Sequence, residues 1–235
     1  MNAKNLRYWF KHLAASMLLT IPHGPLAGHK WSVASGTRFF RNTYDPEQVP
    51  QFVGYAPPGA VVYDIGAHIG FYSIIAAHAV GAAGRVYAFE PLPLNIGMLE
   101  RHLRANRVDN VEVLKIGVAD RAGTARFCLG KGTGRGFLGD EGEIEVSITT
   151  LDALVDSGRL PPPQLIKMDI EGAELGALQG GARMIAQHKP TLFLSVHGAE
   201  VEAGCRQFLN EQGYTLRNVK ESTILAVHSS RLASA

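Results

Sequence analysis

Two rhythms of hydrophobic and polar positions run along this chain, and the changes between them mark its elements. Val61–Ile65 is a short, mostly apolar run closed by Gly66, and it reads as a strand. Phe71–Val80 follows as a helix that stops near Gly81, and residues 85–90 form a second strand. Residues 93–106 read as a helix with Leu92, Ile96, Leu99 and Leu103 on one face. Pro93 suits its first turn, where a missing N–H leaves nothing unsatisfied. Residues 111–116 form a third strand, and residues 165–169 a fourth after the break Pro161-Pro162-Pro163. A helix over residues 172–187, interrupted at Gly180-Gly181, leads to a fifth strand at 191–196. Another helix, over 201–212, is stopped by Gly213. Residues 214–219 and 223–228 end the pattern as two strands separated by a short polar turn, a spacing that requires antiparallel pairing. Strands alternating with helices predict an α/β fold, a parallel sheet covered on both faces.

The rhythm is different at two places. Residues 1–55 precede the break Pro57-Pro58-Gly59 and read as an N-terminal helical cap on a main domain over residues 56–235, with turn chemistry at residues 22–28. Within it Leu6, Trp9, Phe10, Leu13 and Met17 share a helical face, which predicts a helix packed on the domain. Lys4, Arg7 and Lys11 ahead of the apolar run 13–21 mimic a signal peptide loosely. The run has nine residues, too few to cross a bilayer, and no A-x-A site follows. A helix lying on a membrane surface is the alternative. The second place is residues 131–143, after a short strand at 124–129. Gly132, Gly134, Gly136, Gly139 and Gly142 predict a mobile lid near the substrate. Lys131 and Arg135 lie there, but outside the phosphate-loop pattern G-x-x-x-x-G-K-[ST].

Composition narrows the field. A chain of 235 residues holds one α/β domain with a full core, and a net charge of +2 is too small to suggest nucleic acid as partner. The two cysteines, Cys128 and Cys205, have no metal-ligand spacing and read as reduced, buried thiols. These features fit a cytoplasmic enzyme without a membrane span; the sequence does not indicate its oligomeric state.

Candidate chemistry begins at the first glycine turn. Gly66-Ala67-His68-Ile69-Gly70 lacks the middle glycine of G-x-G-x-x-G, which lets backbone approach a pyrophosphate. Asp64 at the strand end would repel a phosphate. It suits S-adenosylmethionine, which carries an ammonium, a sulfonium and no phosphate. The cofactor's carboxylate is expected at the N-terminus of the helix from Ile69 on, with Ser73 as a donor to it. Glu90, twenty residues after Gly70, stands where an acidic side chain takes ribose hydroxyls. Two competing readings are a nicotinamide-dependent oxidoreductase and a methyltransferase-like fold kept as a non-catalytic binding module.

The segments D-I-G-A-H-I-G-F-Y-S, A-F-E-P-L-P-L-N, I-K-M-D-I-E-G-A-E and L-S-V-H, preceded by T-Y-D-P-E-Q, resemble the FkbM family of S-adenosylmethionine-dependent methyltransferases. The resemblance spans residues 36–200, and D-x-E-G-x-E is its most specific part. It implies the Rossmann-like, seven-stranded class I methyltransferase sheet and O-methylation of a small-molecule or glycan acceptor: a sugar, glycan or polyketide-type hydroxyl. The cofactor set implied is Asp64, Gly66, Ala67, His68, Gly70, Phe71, Ser73, Glu90, Pro91, Asn95, Val118 and Asp169. His68 departs from the family's usual asparagine, and Gly117 from an acidic residue common in the wider superfamily, which leaves adenine to backbone near Val118 and apolar contacts. Asp169 and Glu171 flank the turn after the fourth strand, His197 ends the fifth, and the three form the expected catalytic group, with His197 either a general base or a hydrogen-bonded structural residue. Lys167 is expected to neutralise Asp169, and Glu174 to be solvated or paired. The carboxylates could hold sugar hydroxyls or a divalent metal, but no spacing asserts a metal.

Overall fold

The computed structural model describes residues 17–129, 136–138, 142 and 144–232. Seven strands form the central sheet: β3 (Val61–Ile65), β4 (Arg85–Phe89), β5 (Val111–Leu114), β10 (Leu165–Met168), β11 (Thr191–Ser195), β12 (Tyr214–Lys220) and β13 (Thr223–His228). Their spatial order is β12-β13-β11-β10-β3-β4-β5. The five strands from β5 to β11 run parallel, while β13 is antiparallel to both β11 and β12. The order reverses between β3 and β10, the crevice where open α/β sheets bind ligands. The alternation predicted the parallel sheet and the ending its antiparallel hairpin, and together they form the Rossmann-like class I methyltransferase sheet that the family resemblance implied.

Strand parity separates the sheet's two faces. Val62, Val86, Ala88, Leu165, Phe193, Leu225 and Val227 belong to one core cluster, and Tyr63, Ile65, Tyr87, Phe89, Ile166, Met168, Leu192 and Leu194 to the other. The first face packs against α2 (Phe71–Val80), α3 (Pro93–Ala105) and the N-terminal region. The second receives buried residues from α4 (Leu151–Asp156), α5 (Glu174–Gln179), α6 (Ala182–His188) and α7 (Ala199–Glu211), and α8 (Ser229–Leu232) ends the description. Asp64 and Lys167 are register partners on the first face, so two charged groups are built into a buried strand pair, at 2% exposure each. The predicted helix interruption is real. Gly180 and Gly181 separate α5 from α6, and a Cβ on Gly180 would lie 2.1 Å from the carbonyl oxygen of Ala119.

Several expectations are corrected. Over its described part, the helical cap is a hairpin of β1 (Leu18–Thr20) and β2 (Lys30–Ser32), a 3-10 turn at Val33–Ser35 and one helix, α1 (Gln48–Gly54). The apolar run that read as helical thus ends as a strand, held by pairing with β2. Its tight turn uses Gly24 and Gly28, both at positive φ. Trp31, Ile21, Leu26 and Phe52 from this region are buried in the first core cluster. Residues 1–16, with the helix expected there, lie outside the described residues. So does most of the expected lid; Gly136–Leu138 within it is a strand, β8, paired with β7 (Gly123–Leu129). With β6 (Gly117–Val118) and β9 (Ile144–Thr149) these form a second sheet, ordered β6-β9-β7-β8, inserted between β5 and β10. No helix among the described residues is long and apolar enough to cross a membrane. Cys205 is a free, buried thiol whose pKa burial pushes up to about 12.

Candidate active site

A cavity of about 1150 Å³ opens at the carboxyl ends of β3, β4, β10 and β11. Its walls come from the two turns after β3 and β10, the start of α3, the N-terminal segment around Tyr44 and the hairpin tip around Lys220. Of the residues expected to bind cofactor, Asp64, Gly66, Ala67, His68, Phe71, Glu90, Pro91, Asn95, Val118 and Asp169 line it. Gly70 and Ser73 stand behind the wall. Ser73, expected to donate to a cofactor carboxylate, instead donates to Asp64 Oδ2 at 2.5 Å. Gly70 adopts φ +93 at the cap of α2, where a Cβ would lie 2.4 Å from Leu99 Cδ1.

The glycine turn is tied tightly to β4. Gly66 and Ala67 both donate their N–H to the carbonyl of Phe89, His68 N–H donates to Glu90 Oε2 at 2.8 Å, and Gly70 N–H donates to Ala67. These four donors are spent inside the protein, which leaves little of an anion nest for a pyrophosphate. Glu90 also accepts from Leu92 N–H and from the Asn95 amide at 3.0 and 3.2 Å. A carboxylate has about four acceptor positions, so three are filled. Burial pushes Glu90 up to about 7 and Asp64 up to about 6; Ser73 and Lys167 oppose the rise at Asp64. His68 Nε2 is buried with no hydrogen-bond partner among the described residues, and burial lowers the pKa of its ring.

The turn after β10 carries the second group. Glu171 sits at φ +53 and Gly172 at φ +105, two successive left-handed residues that fold the chain back before α5. His197, just past β11, reaches this turn from the neighbouring strand. Its Nδ1 is 2.9 Å from Glu174 Oε1, while Nε2 faces Asp169 Oδ1 at 3.7 Å and Glu171 Oε2 at 3.8 Å. Asp169, Glu171 and His197 therefore converge, as expected, and all three line the cavity. The Glu174 hydrogen bond, working against burial and helped by Asp169, raises the His197 pKa.

Glu174, expected to be solvated or paired, is paired. It is fully buried, and it accepts hydrogen bonds from Ile170 N–H and Gly172 N–H as well as from the imidazole. It shapes the turn and aims His197 at once. The spacing Asp169-x-Glu171-x-x-Glu174 was visible, but which carboxylate turned inward depended on the left-handed backbone at 171–172. Lys167 does pair with Asp169, Nζ to Oδ2 at 3.2 Å, and also reaches Ser195 Oγ at 3.4 Å and the Tyr72 ring at 5.0 Å. Tyr72 donates to Asp45 Oδ2 at 3.3 Å, and Arg38 lies over the Tyr44 ring. Sequence reading assigned no role to Tyr44, Asp45, Tyr72, Arg38 or Lys220, because no periodicity relates the N-terminal segment to the hairpin tip.

Comparison with known proteins agrees with this geometry. The family description "Methyltransferase FkbM domain" matches residues 64–216. A hexuronic acid methyltransferase, AglP, of Haloferax volcanii is 30% identical over 51% of this chain and 49% of its own length. The 31-O-demethyl-FK506 methyltransferase FkbM of Streptomyces tacrolimicus is 29% identical over 52% of this chain and 60% of its own. The chain thus spans about half to three-fifths of the curated relatives it matches. In structure it is similar to a methyltransferase FkbM from Methylobacillus flagellatus, with TM-score 0.54 and 22% identity over 83% of this chain and 51% of that one. It is also similar to precorrin-6y C5,15-methyltransferase from Geobacter metallireducens, with TM-score 0.52 and 17% identity over 78% and 89%. The match running from Asp64 through the glycine turn and the carboxylate turn to β12 shows that the chain belongs to the FkbM methyltransferase family.

Proposed function

We propose that this protein transfers a methyl group from S-adenosylmethionine to a hydroxyl of a sugar, glycan or polyketide-type natural product. The observation that carries the reading is one cavity with two chemically different limbs: Asp64, His68 and Glu90 on one side, and Asp169, Glu171 and His197 on the other. The first limb fits the cofactor. Glu90 keeps one acceptor position for a ribose hydroxyl, and a second hydroxyl would replace the Asn95 amide. Asp64 supplies negative charge for the cationic methionine end, and the unpartnered His68 Nε2 can complete a polar contact there. The cofactor supplies an activated methyl on a sulfonium. At the second limb the acceptor oxygen would take that methyl as its hydroxyl proton is lost to solvent, leaving S-adenosylhomocysteine. Asp169, Glu171 and His197 orient the hydroxyl and favour loss of its proton.

The relatives support the acceptor class, since one is named for a hexuronic acid and the other for a demethylated FK506. Two measurements test the proposal. Calorimetry should show one S-adenosylhomocysteine bound per chain. Mass spectrometry of glycans and natural products from cells with and without the protein should reveal a species heavier by one CH2 when it is present. No binding of either adenosyl compound at millimolar concentration would refute it.

A further inference from the structure

Resting on that reading of the second limb, we propose that Asp169, Glu171 and His197 Nε2 hold a divalent first-row cation that binds the acceptor hydroxyl. One donor atom from each residue lies within 4.8 Å of the others. A cation about 2.0–2.2 Å from each donor sets donor separations at about 3.0–3.4 Å. The observed 3.7 and 3.8 Å from Nε2 to the two carboxylates are two sides of that triangle opened by a few tenths of an ångström, and the third side, between the carboxylates, is within 4.8 Å. Both distances exceed a hydrogen bond and remain within ion-pair reach of a protonated ring, so a cation binding here would displace the Nε2 proton.

Three further features point to a cation. Donation of Nδ1–H to the buried Glu174 leaves the Nε2 lone pair facing the carboxylates, the carboxylate–histidine–metal relay of known sites. Glu174 is itself fixed by Ile170 and Gly172 N–H, so the ring's aim is built into the turn. Charge is also out of balance. Asp169, Glu171 and Glu174 bring three formal negative charges against Lys167, which is bound to the far oxygen, Oδ2, of Asp169, and against His197 only while its ring is protonated. A dication closes that difference and would meet the free Oδ1. Finally, the side chains of Asp169, Glu171 and His197 are about one-third exposed, at 36%, 37% and 36%, so three protein donors leave open positions toward the cavity. That is the layout of a catalytic rather than a structural site. One imidazole with two carboxylates suits Mn²⁺, Fe²⁺ or Zn²⁺ better than Mg²⁺ or Ca²⁺. His197 then serves as a ligand, and the cation stabilises the deprotonated oxygen while the proton leaves to solvent.

Mn²⁺ alone is the probe. Electron paramagnetic resonance titration of the metal-stripped protein should show one Mn²⁺ per chain. His197→Ala and Glu171→Gln should each weaken binding at least tenfold. Glu174→Gln, which touches no metal, should weaken it about 10- to 100-fold. Glu171 lies on a partly exposed turn, so Glu171→Gln keeps the test valid if the buried substitution unfolds the chain. S-adenosylhomocysteine affinity is measured on the same samples. No Mn²⁺ bound at millimolar concentration, with S-adenosylhomocysteine still bound, overturns the cation and leaves methyl transfer standing. Mn²⁺ bound in the predicted pattern without either adenosyl compound supports the cation site and removes the cofactor reading.

Discussion

Glu90 is a carboxylate buried at 4% exposure with three N–H donors and, among the described residues, no ion-pair partner. Burial pushes it from 4.5 up to about 7, so near neutral pH it is partly protonated. With the folded pKa above the unfolded one, the ionised group opposes folding increasingly as pH rises from about 4.5 to about 7. Ribose hydroxyls donate to the ionised form and offset that cost. S-adenosylhomocysteine should therefore bind more weakly as pH falls below about 7. Glu90→Ala should lose about 1.5–3 kcal/mol, or 10- to 150-fold in affinity, together with this pH dependence. Calorimetry across pH 6–8 checks both, and equal affinity in variant and parent would remove Glu90 from the cofactor site. At this scale the sequence was informative: Asp64, Glu90, Asp169, Glu171 and His197 all meet one cavity. The inward turn of Glu174 and the capture of Ser73 by Asp64 were not legible, because side-chain direction at a turn follows backbone torsions that residue type alone leaves open.

At the scale of elements, the two turns that carry the limbs are packed against each other. Gly66 has φ +84, and a Cβ there would lie 2.0 Å from the carbonyl oxygen of Asp169. Gly66→Ala adds left-handed strain of about 1–3 kcal/mol and a collision with backbone of similar size. Urea unfolding should show a loss of about 2–5 kcal/mol, and a loss below about 0.5 kcal/mol would show that the turns are free to part. This contact explains why glycine is needed at 66: for neighbouring backbone rather than for a cofactor phosphate. The long elements were readable from periodicity because each buries a full face. Strands β1, β2 and β6 were not, since two or three residues display no period. β9 does alternate, with Val146, Ile148 and Thr149 buried, but it adjoins the glycine run and has no neighbour in sequence that marks its partner. α4 is six residues long, and its start is marked by the Thr150 side chain accepting from Ala153 N–H.

Across the whole molecule, His102 joins three parts. From α3 its Nδ1–H donates to the carbonyl of Ile69 in the glycine turn at 2.8 Å, and Nε2 accepts from Ser32 N–H in β2 at 3.0 Å. Its ring stacks on Trp31 at 3.8 Å. Acceptance at Nε2 needs the neutral ring, and burial lowers its pKa from 6.5 to about 4 against the Ile69 hydrogen bond, which favours the charged form. The sign follows: this stability is fully present above about 6.5 and is lost as pH falls from 6.5 toward 4, by about 3 kcal/mol at the limit. Glu90 and Asp64 act with the opposite sign over this interval, so the readout is the difference between variant and parent. His102→Gln should be less stable at pH 7 by about 1–3 kcal/mol, and chemical denaturation should show that deficit shrinking at pH 5. An equally steep dependence in the variant would place the pH effect elsewhere.

The order of strands and helices, the glycine turn, the acidic residues at strand ends and the antiparallel ending are local in sequence. Hydrophobic period and turn chemistry act over neighbouring residues, so these features were determined by the sequence read by itself. Tertiary structure decided what depends on residues far apart meeting. Residues 17–55 share a core with the sheet instead of forming a helical cap, the inserted residues form a second sheet, and Tyr44 and Lys220 face one cavity. It also decided that Glu174, and not solvent, holds His197. Such contacts follow from packing two sheet faces and closing turns against one another, and neither propensity nor spacing along the chain encodes them singly.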